Sequence, residues 1–394
     1  MIQIKENTEC CGCSACASVC PKKCIDMVED KEGFLYPVVC MDSCDNCGAC
    51  EKVCPILNHG MRTENHSQVA AIVQHKNTEI CRQSTAGGAF TAIAEYVIDR
   101  KGIVFGVEMQ ADYSIRHIAV ETKKELVKFR NSKYVQSNIE NTYSQARNYL
   151  NIGRMVCFSG TPCQIEGLRK YLKKDYDNLI LVDVVCRAVP SPGIWKKYIS
   201  METQHYGEIQ SIRFRDKTLG YQYSTMELKD AQGKVYRGGI ESQPWLRMFF
   251  SGMIIRPSCT NCKFRSRYRN SDFTIWDCFN VYNIEKIFDE DVGTTRILIH
   301  SEKGKKVFEK IKNDFKYKLI EADQAVGGVQ EMIQSPVSHP RRDEFFKDAQ
   351  ELSMEDLLSK YFPNTIKVRL KRKARLILNQ LGLDKSIKHI LRKG

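Results

Sequence analysis

Eight cysteines within the first 54 residues fall into two copies of one spacing, Cys10-x2-Cys13-x2-Cys16-x3-Cys20-Pro21 and Cys44-x2-Cys47-x2-Cys50-x3-Cys54-Pro55. Three thiolates two residues apart let a tight loop wrap one face of an iron–sulfur cube. Gly12, Ser14, Ala15, Gly48 and Ala49 keep side chains away from the sulfides, and the proline after each fourth cysteine turns the chain away. In paired runs of this kind the fourth cysteine serves the other cube. That rule assigns one 4Fe-4S cluster to Cys10, Cys13, Cys16 and Cys54, and a second to Cys44, Cys47, Cys50 and Cys20.

This is the run of bacterial two-cluster ferredoxins, so residues 1–60 are expected to form an α+β, ferredoxin-like unit. Ile25, Met27, Glu32, Gly33 and Phe34 to Val38 read as a small hairpin packed over the cubes. The competing reading is structural zinc, which also uses Cys-x2-Cys pairs. Zinc sites, however, usually set two such pairs far apart, and a third cysteine at x2 with a fourth at x3 is cluster spacing. Eighteen cysteines would suggest disulfides in a small secreted domain, but here Met1 to Lys5 leads directly into the cysteine run. Thiolate ligands of this type set the expectation of a reducing, cytoplasmic compartment.

The chain of 394 residues, 42% hydrophobic, has room for a large folded body beyond the cysteine domain. Its net charge of +13 is uneven. Residues 1–60 hold five Lys/Arg against nine Asp/Glu, whereas residues 366–394 hold ten against one. From Val69 the pattern alternates strand and helix. A strand at 69–73, a helix over 86–99 and a strand at 103–107 predict a βαβ unit and an α/β domain with a largely parallel or mixed sheet. Ser84, Thr85, Gly87 and Gly88 stand at the expected start of that helix, where free amides and the helix dipole can receive a phosphate. The bland alternative is an ordinary capped helix. Neither a Walker loop nor Gly-x-Gly-x-x-Gly after a strand is present.

Strands at 155–159 and 179–185 end at Gly160-Thr161-Pro162-Cys163-Gln164 and at Cys186. Both cysteines are thus placed at the carboxyl edge of the sheet, where open α/β sheets bind ligands. A further pair, Cys259-x2-Cys262, precedes Arg265, Arg267 and Arg269. Cys163, Cys186, Cys259 and Cys262 make a candidate third 4Fe-4S cluster; the alternative is buried free thiols.

Several motifs in order carry a family resemblance. They are Ser84 to Gly88, Ser132-Lys133-Tyr134-Val135-Gln136-Ser137, Gly160 to Gln164, Asp183 to Cys186, Phe214-Arg215-Asp216-Lys217 with Gly220, and Cys259-x2-Cys262. Across residues 1–320 the chain resembles the coenzyme F420 hydrogenase/dehydrogenase beta-subunit family, in the form with an N-terminal two-cluster domain. The resemblance implies an iron–sulfur oxidoreductase with a flavin, usually FAD, beside a cluster, passing electrons to a deazaflavin or another acceptor. Some bacterial relatives belong to polysaccharide biosynthesis. Ser84, Thr85, Gly87, Gly88, Lys133, Tyr134 and Gln136 become the flavin-site candidates, and Arg215, Lys217, Arg265 and Arg267 candidate holders of an anionic acceptor. One departure stands out: where the family commonly has Gly-Asp-Phe-Trp-Gly, this chain has Trp276-Asp277-Cys278-Phe279-Asn280.

The expected organisation is a 4Fe-4S domain at 1–60, the two parts of the α/β region at 61–150 and 151–345, and a basic helical tail at 346–394. In the tail Ile366, Leu370, Ala374, Ile377 and Leu381 share one helical face among lysines and arginines. Gly382 breaks the pattern before Ile387, Ile390 and Leu391. A basic amphipathic helix suits an anionic membrane surface, so peripheral membrane contact through 366–394 is one expectation. An electron-transfer partner, such as a ferredoxin or a partner reductase, is another. Nucleic acid is not expected, because the acidic cysteine domain would repel phosphates and the basic tail lacks interleaved aromatics. No catalytic acid or base is identifiable from the sequence. A non-catalytic relay protein is the rival reading.

Overall fold

The computed structural model describes residues 1–60, 67–288 and 290–381. Its strands are β1 Ile25–Glu29, β2 Leu35–Val39, β3 Val69–His75, β4 Ile103–Met109, β5 Ile115–Val120, β6 Val156–Gly160, β7 Leu179–Val184, β8 Ile209–Asp216, β9 Thr225–Asp230, β10 Val235–Gly238, β11 Phe273–Asp277, β12 Thr295–Ile299 and β13 Phe315–Ile320. Eight of them form one mixed sheet in the order β13-β3-β12-β11-β7-β6-β4-β5. The centre, β4, β6, β7 and β11, is parallel, and both flanks are antiparallel. β3 and β4 are not neighbours as a simple βαβ unit would have them; four strands lie between them.

The central strands are apolar on both faces, as strands covered on both sides must be. Val104, Cys157, Ile180 and Val182 pack under the helices Ala89–Ile98 and Glu302–Ile311. Their alternates Phe105, Val156, Phe158, Leu179 and Leu181 pack under Thr142–Asn151 and Pro162–Leu172. A meander of β8, β9 and β10 builds a second core with Trp195, Tyr198 and Trp245. Phe345, Phe346, Met354 and Leu357 join that core, so the chain from 346 to 362 packs on the body. Only Ile366–Gln380 stands as a separate basic helix. Gly382, Ile387, Ile390 and Leu391 lie outside the described residues. Among the described residues no helix is long and apolar enough to cross a membrane.

The N-terminal segment carries the hairpin β1–β2 between short helices at Ala15–Val19 and Ala49–Lys52. It is clamped to the body. Gly33, at φ +81°, lies so close to Gly193 that a Cβ would come within 2.3 Å of the Gly193 nitrogen. Glu32 forms a buried bidentate pair with Arg342. Arg256, fully buried, donates to the carbonyls of Cys10 (2.8 Å) and Leu35 (2.9 Å) and to Gln136 Oε1 (2.9 Å).

His117 on β5 is buried and stacks on Phe158. Its Nε2 lies 3.0 Å from the Ser159 carbonyl and its Nδ1 lies 3.1 Å from the Ser137 hydroxyl. A carbonyl can only accept, so Nε2 carries the proton and Nδ1 accepts from Ser137. Burial pushes the imidazole down to about 4. With the folded value below the unfolded one, the unfolded chain binds the proton first as pH falls, and stability is lost from about pH 6.5 downward. Between pH 6.5 and 5 this amounts to about 2 kcal/mol. Denaturation of the wild type and of His117→Gln at both pH values should show that loss in the wild type only.

Candidate functional site

Three local structures at the carboxyl edge of the sheet bring four cysteines together. After β6 the chain turns at Thr161, and Pro162 opens the helix Pro162–Leu172. Thr161 and Gln164 form a reciprocal capping box. Cys163 is the second residue of that helix, at the positive end of its dipole, with its sulfur 3.2 Å from the Thr161 hydroxyl. Cys186 follows β7. Cys259 lies in the 3-10 turn Pro257–Asn261, which Pro257 begins and Cys262 closes.

All four thiols line one cavity of about 250 Å3, together with Cys11, Arg265 and Arg269. Burial pushes the Cys259 thiol up to about 12, with Cys163 and Cys262 adding to the effect. Cys186 is pushed up by burial and then by Cys259, Cys163 and Cys262. Cys163 is raised first by its hydrogen bond with Cys11, then by burial. Four neighbouring thiols whose ionisation is disfavoured by burial and by one another are a donor set suited to a cationic metal cluster, whose binding would release their protons. The residues present fit a 4Fe-4S group here.

The loops around the cavity are tied down. Arg265 donates to the carbonyls of Cys186, Arg187 and Glu331. Arg269 Nη1 donates to Asp183 Oδ1 at 2.8 Å and to the Val184 carbonyl at 3.0 Å.

In the N-terminal runs, burial pushes Cys16 up to about 12, helped by Cys10 and Cys54. Cys54 thus sits with the first run. Cys20 lies 3.4 Å from Cys24, and Cys24 also feels Cys44. Cys50 accepts from the Ile2 amide at 3.2 Å, and Cys47 is exposed. Cys11 belongs to no motif spacing, so the sequence does not single it out. It is buried and makes hydrogen bonds with both Cys13 and Cys163, placing a thiol between the first run and the cavity. Its adjacency to Cys10 is the one signal the sequence carries.

The flavin-site candidates divide. Thr85 Oγ1 accepts from the Ser132 amide at 2.7 Å, which brings the 84–88 and 132–137 stretches together. Ser84 donates to the Ile80 carbonyl, and the Gly87 amide donates to Thr295 Oγ1. The helix starts at Ala89, three residues later than the sequence suggests, with Gly88 at φ +83° as its N-cap. Lys133 Nζ donates to the carbonyls of Lys128 (2.7 Å) and Arg130 (3.0 Å), and burial lowers it to about 7. Tyr134 packs among Phe214, Phe249 and Phe250, and its hydroxyl accepts from Arg215 at 3.1 Å. Gln136 faces the other way, donating to the Cys11 carbonyl at 3.0 Å.

The expected anion-holding cations are all engaged within the fold. Arg215 makes a bidentate pair with Asp277, at 3.2 Å for each bond, and Tyr221 donates to the same carboxylate. Lys217 Nζ donates to the carbonyls of Cys81, Ala86 and Val292. Arg267 pairs with Asp323 and donates to Gln68. A run of basic residues shows charge in the sequence but not the carbonyls and carboxylates that fold against it. The departing stretch has a local role: Phe279 stacks on Tyr221 at 4.9 Å, over the Arg215–Asp277 pair.

Residues 153–325 match the family model that describes the C terminus of the coenzyme F420 hydrogenase/dehydrogenase beta subunit. Over that region the chain is similar to this family. The matched residues contain Cys163, Cys186, Cys259 and Cys262 as well as the departing stretch, whereas the motifs at 84–88 and 132–137 precede them. No curated protein matches the chain. Among solved structures it is similar to a chain of the F420-reducing NiFe hydrogenase complex from Methanosarcina barkeri, at 15% identity and a TM-score of 0.43, covering 75% of this chain and 90% of that one.

Proposed function

We propose that the chain is an iron–sulfur flavoprotein oxidoreductase that moves electrons between three 4Fe-4S clusters, a bound flavin and an acceptor. The observation that carries this reading is the gathering of Cys163, Cys186, Cys259 and Cys262, from three separate segments, around one cavity. Cys11 stands between that cavity and the N-terminal cysteines. Cys10, Cys13, Cys16 and Cys54 would hold one cube, Cys44, Cys47, Cys50 and Cys20 the second, and the cavity thiols the third. A flavin, in FAD form, would lie along the Ser84–Gly88 and Ser132–Gln136 stretches that Thr85 joins. When bound, it exchanges one electron at a time with cubes and two with a hydride partner. The protein's part is to hold the thiols at fixed spacing, exclude water from the cavity and keep the Arg256–Gln136 contact between the two cysteine regions.

The second reading is a relay protein that passes electrons between a ferredoxin-like or reductase partner and a separate enzyme. The internal engagement of Arg215, Lys217, Arg265 and Arg267 favours it, since none of the four is left to grip an anionic acceptor.

Anaerobic purification with iron, acid-labile sulfide and flavin measured on one sample tests both readings. The expected result is about twelve irons and one flavin per chain. About eight irons and no flavin would overturn the enzyme reading. Twelve irons without flavin, and without acceptor reduction, would select the relay.

A further inference from the structure

The helix Ile366–Gln380 is attached to the body by one face only. Arg375 pairs with Glu241 at 2.7 Å and lies 4.3 Å over the Tyr223 ring. Arg372 donates to the Arg237 carbonyl at 2.9 Å, and Asn379 to the Leu219 carbonyl at 3.0 Å. With 3.6 residues per turn, these three and Val368 share one arc of the helix. The opposite arc carries Ile366, Leu370, Ile377 and Leu381, which are 68, 60, 54 and 65% exposed.

This inverts the usual order, in which a surface helix turns its apolar stripe inward. The stripe is bordered by Lys367 and Lys371 on one side and by Arg369 and Lys373 on the other. None of these four is ion-paired among the described residues, and no acidic residue occurs between Ile366 and Leu381.

We propose that this helix seats the protein on an anionic lipid surface. It would lie in the plane of the interface, with the four aliphatic side chains in the acyl boundary and the four flanking cations on lipid phosphates. The occupant follows from the charge layout. An apolar line with cations along both edges matches a surface whose apolar layer is overlaid by a layer of anionic headgroups. A second copy of the helix on a two-fold axis would set these same cations against one another.

The test is vesicle flotation with the full-length, cluster-loaded protein, using phosphatidylcholine vesicles with and without about one-third phosphatidylglycerol. The protein should float with the anionic vesicles and not with the neutral ones. Two variants separate the contributions: Ile366→Ser, Leu370→Ser, Ile377→Ser and Leu381→Ser together, and Lys367→Glu, Arg369→Glu, Lys371→Glu and Lys373→Glu together. Each should reduce the bound fraction about tenfold or more at unchanged iron content. All eight residues are exposed and none makes the contacts that dock the helix, so the body should fold normally. Three results would overturn the proposal: no flotation with anionic vesicles, flotation that survives loss of the apolar residues, or a dimer that both variants abolish in the absence of vesicle binding.

Discussion

Cys259→Ser should lower the iron content from about twelve to about eight per chain, with a matching loss of about four sulfides. The eight N-terminal cysteines should keep their clusters, because none of their thiols lines the cavity shared by Cys163, Cys186, Cys259 and Cys262. Cys163→Ser and Cys186→Ser should do the same, since each removes one of the four thiolates that would hold the cube. Cys40→Ser is the control: that thiol is exposed and lies outside both motif runs, so the metal content should not change. Cys11→Ser is the sharper comparison. Cys11 is a fifth sulfur on the same cavity, and the family motifs give it no ligand role. Twelve irons in Cys11→Ser, with eight in Cys259→Ser, would leave the cube on the four assigned thiols. Eight irons in Cys11→Ser would move the ligand set toward the N-terminal segment. Anaerobic iron and sulfide assays with reduced-state electron paramagnetic resonance read every variant. A Cys259→Ser protein still holding about twelve irons would remove the third cluster from the proposed function.

How much of this site is legible in the sequence depends on how far apart its parts lie along the chain. The Cys-x2-Cys runs, the β1–β2 hairpin and the strand ends before Cys163 and Cys186 are short-range features. Spacing and period report these directly. The order of the strands is different. β3 pairs with β12 and β13, more than two hundred residues further on, and the period of a strand reports which faces are buried but not which neighbour pairs with it. Arg256 is hidden in the sequence for the same reason. It reads as a lone basic residue before a proline, yet it is the donor that joins Cys10, Leu35 and Gln136. The tail shows the converse. The sequence identifies the apolar stripe of Ile366, Leu370, Ile377 and Leu381, but only the placement of Arg372, Arg375 and Asn379 shows that the stripe faces outward.

The largest stability effect should come from the buried pair next to the cavity. Arg269 and Asp183 are each 2% exposed and lie 2.8 Å apart. The carboxylate also accepts from Ser271 at 2.9 Å and from Thr274 at 2.6 Å. Because Thr274 gives its only proton to Asp183, it must accept from His300 Nε2 at 2.8 Å. His300 Nδ1 in turn accepts from Gln68 at 2.9 Å. The direction of every bond along this line is therefore fixed by the charge at Asp183. Arg269→Leu would leave that carboxylate buried with hydroxyl donors but no counter-charge, at a cost of about 3 to 5 kcal/mol. Asp183→Asn alone should cost a similar amount, since it strands the guanidinium instead. The double variant should recover part of the loss, because neither uncompensated charge then remains, and the coupling measured by the cycle should be well above 1 kcal/mol. Urea denaturation of all four proteins under anaerobic conditions measures it. Single losses below about 1 kcal/mol would mean that solvent reaches the pair and that the network does not brace the loop to Cys186.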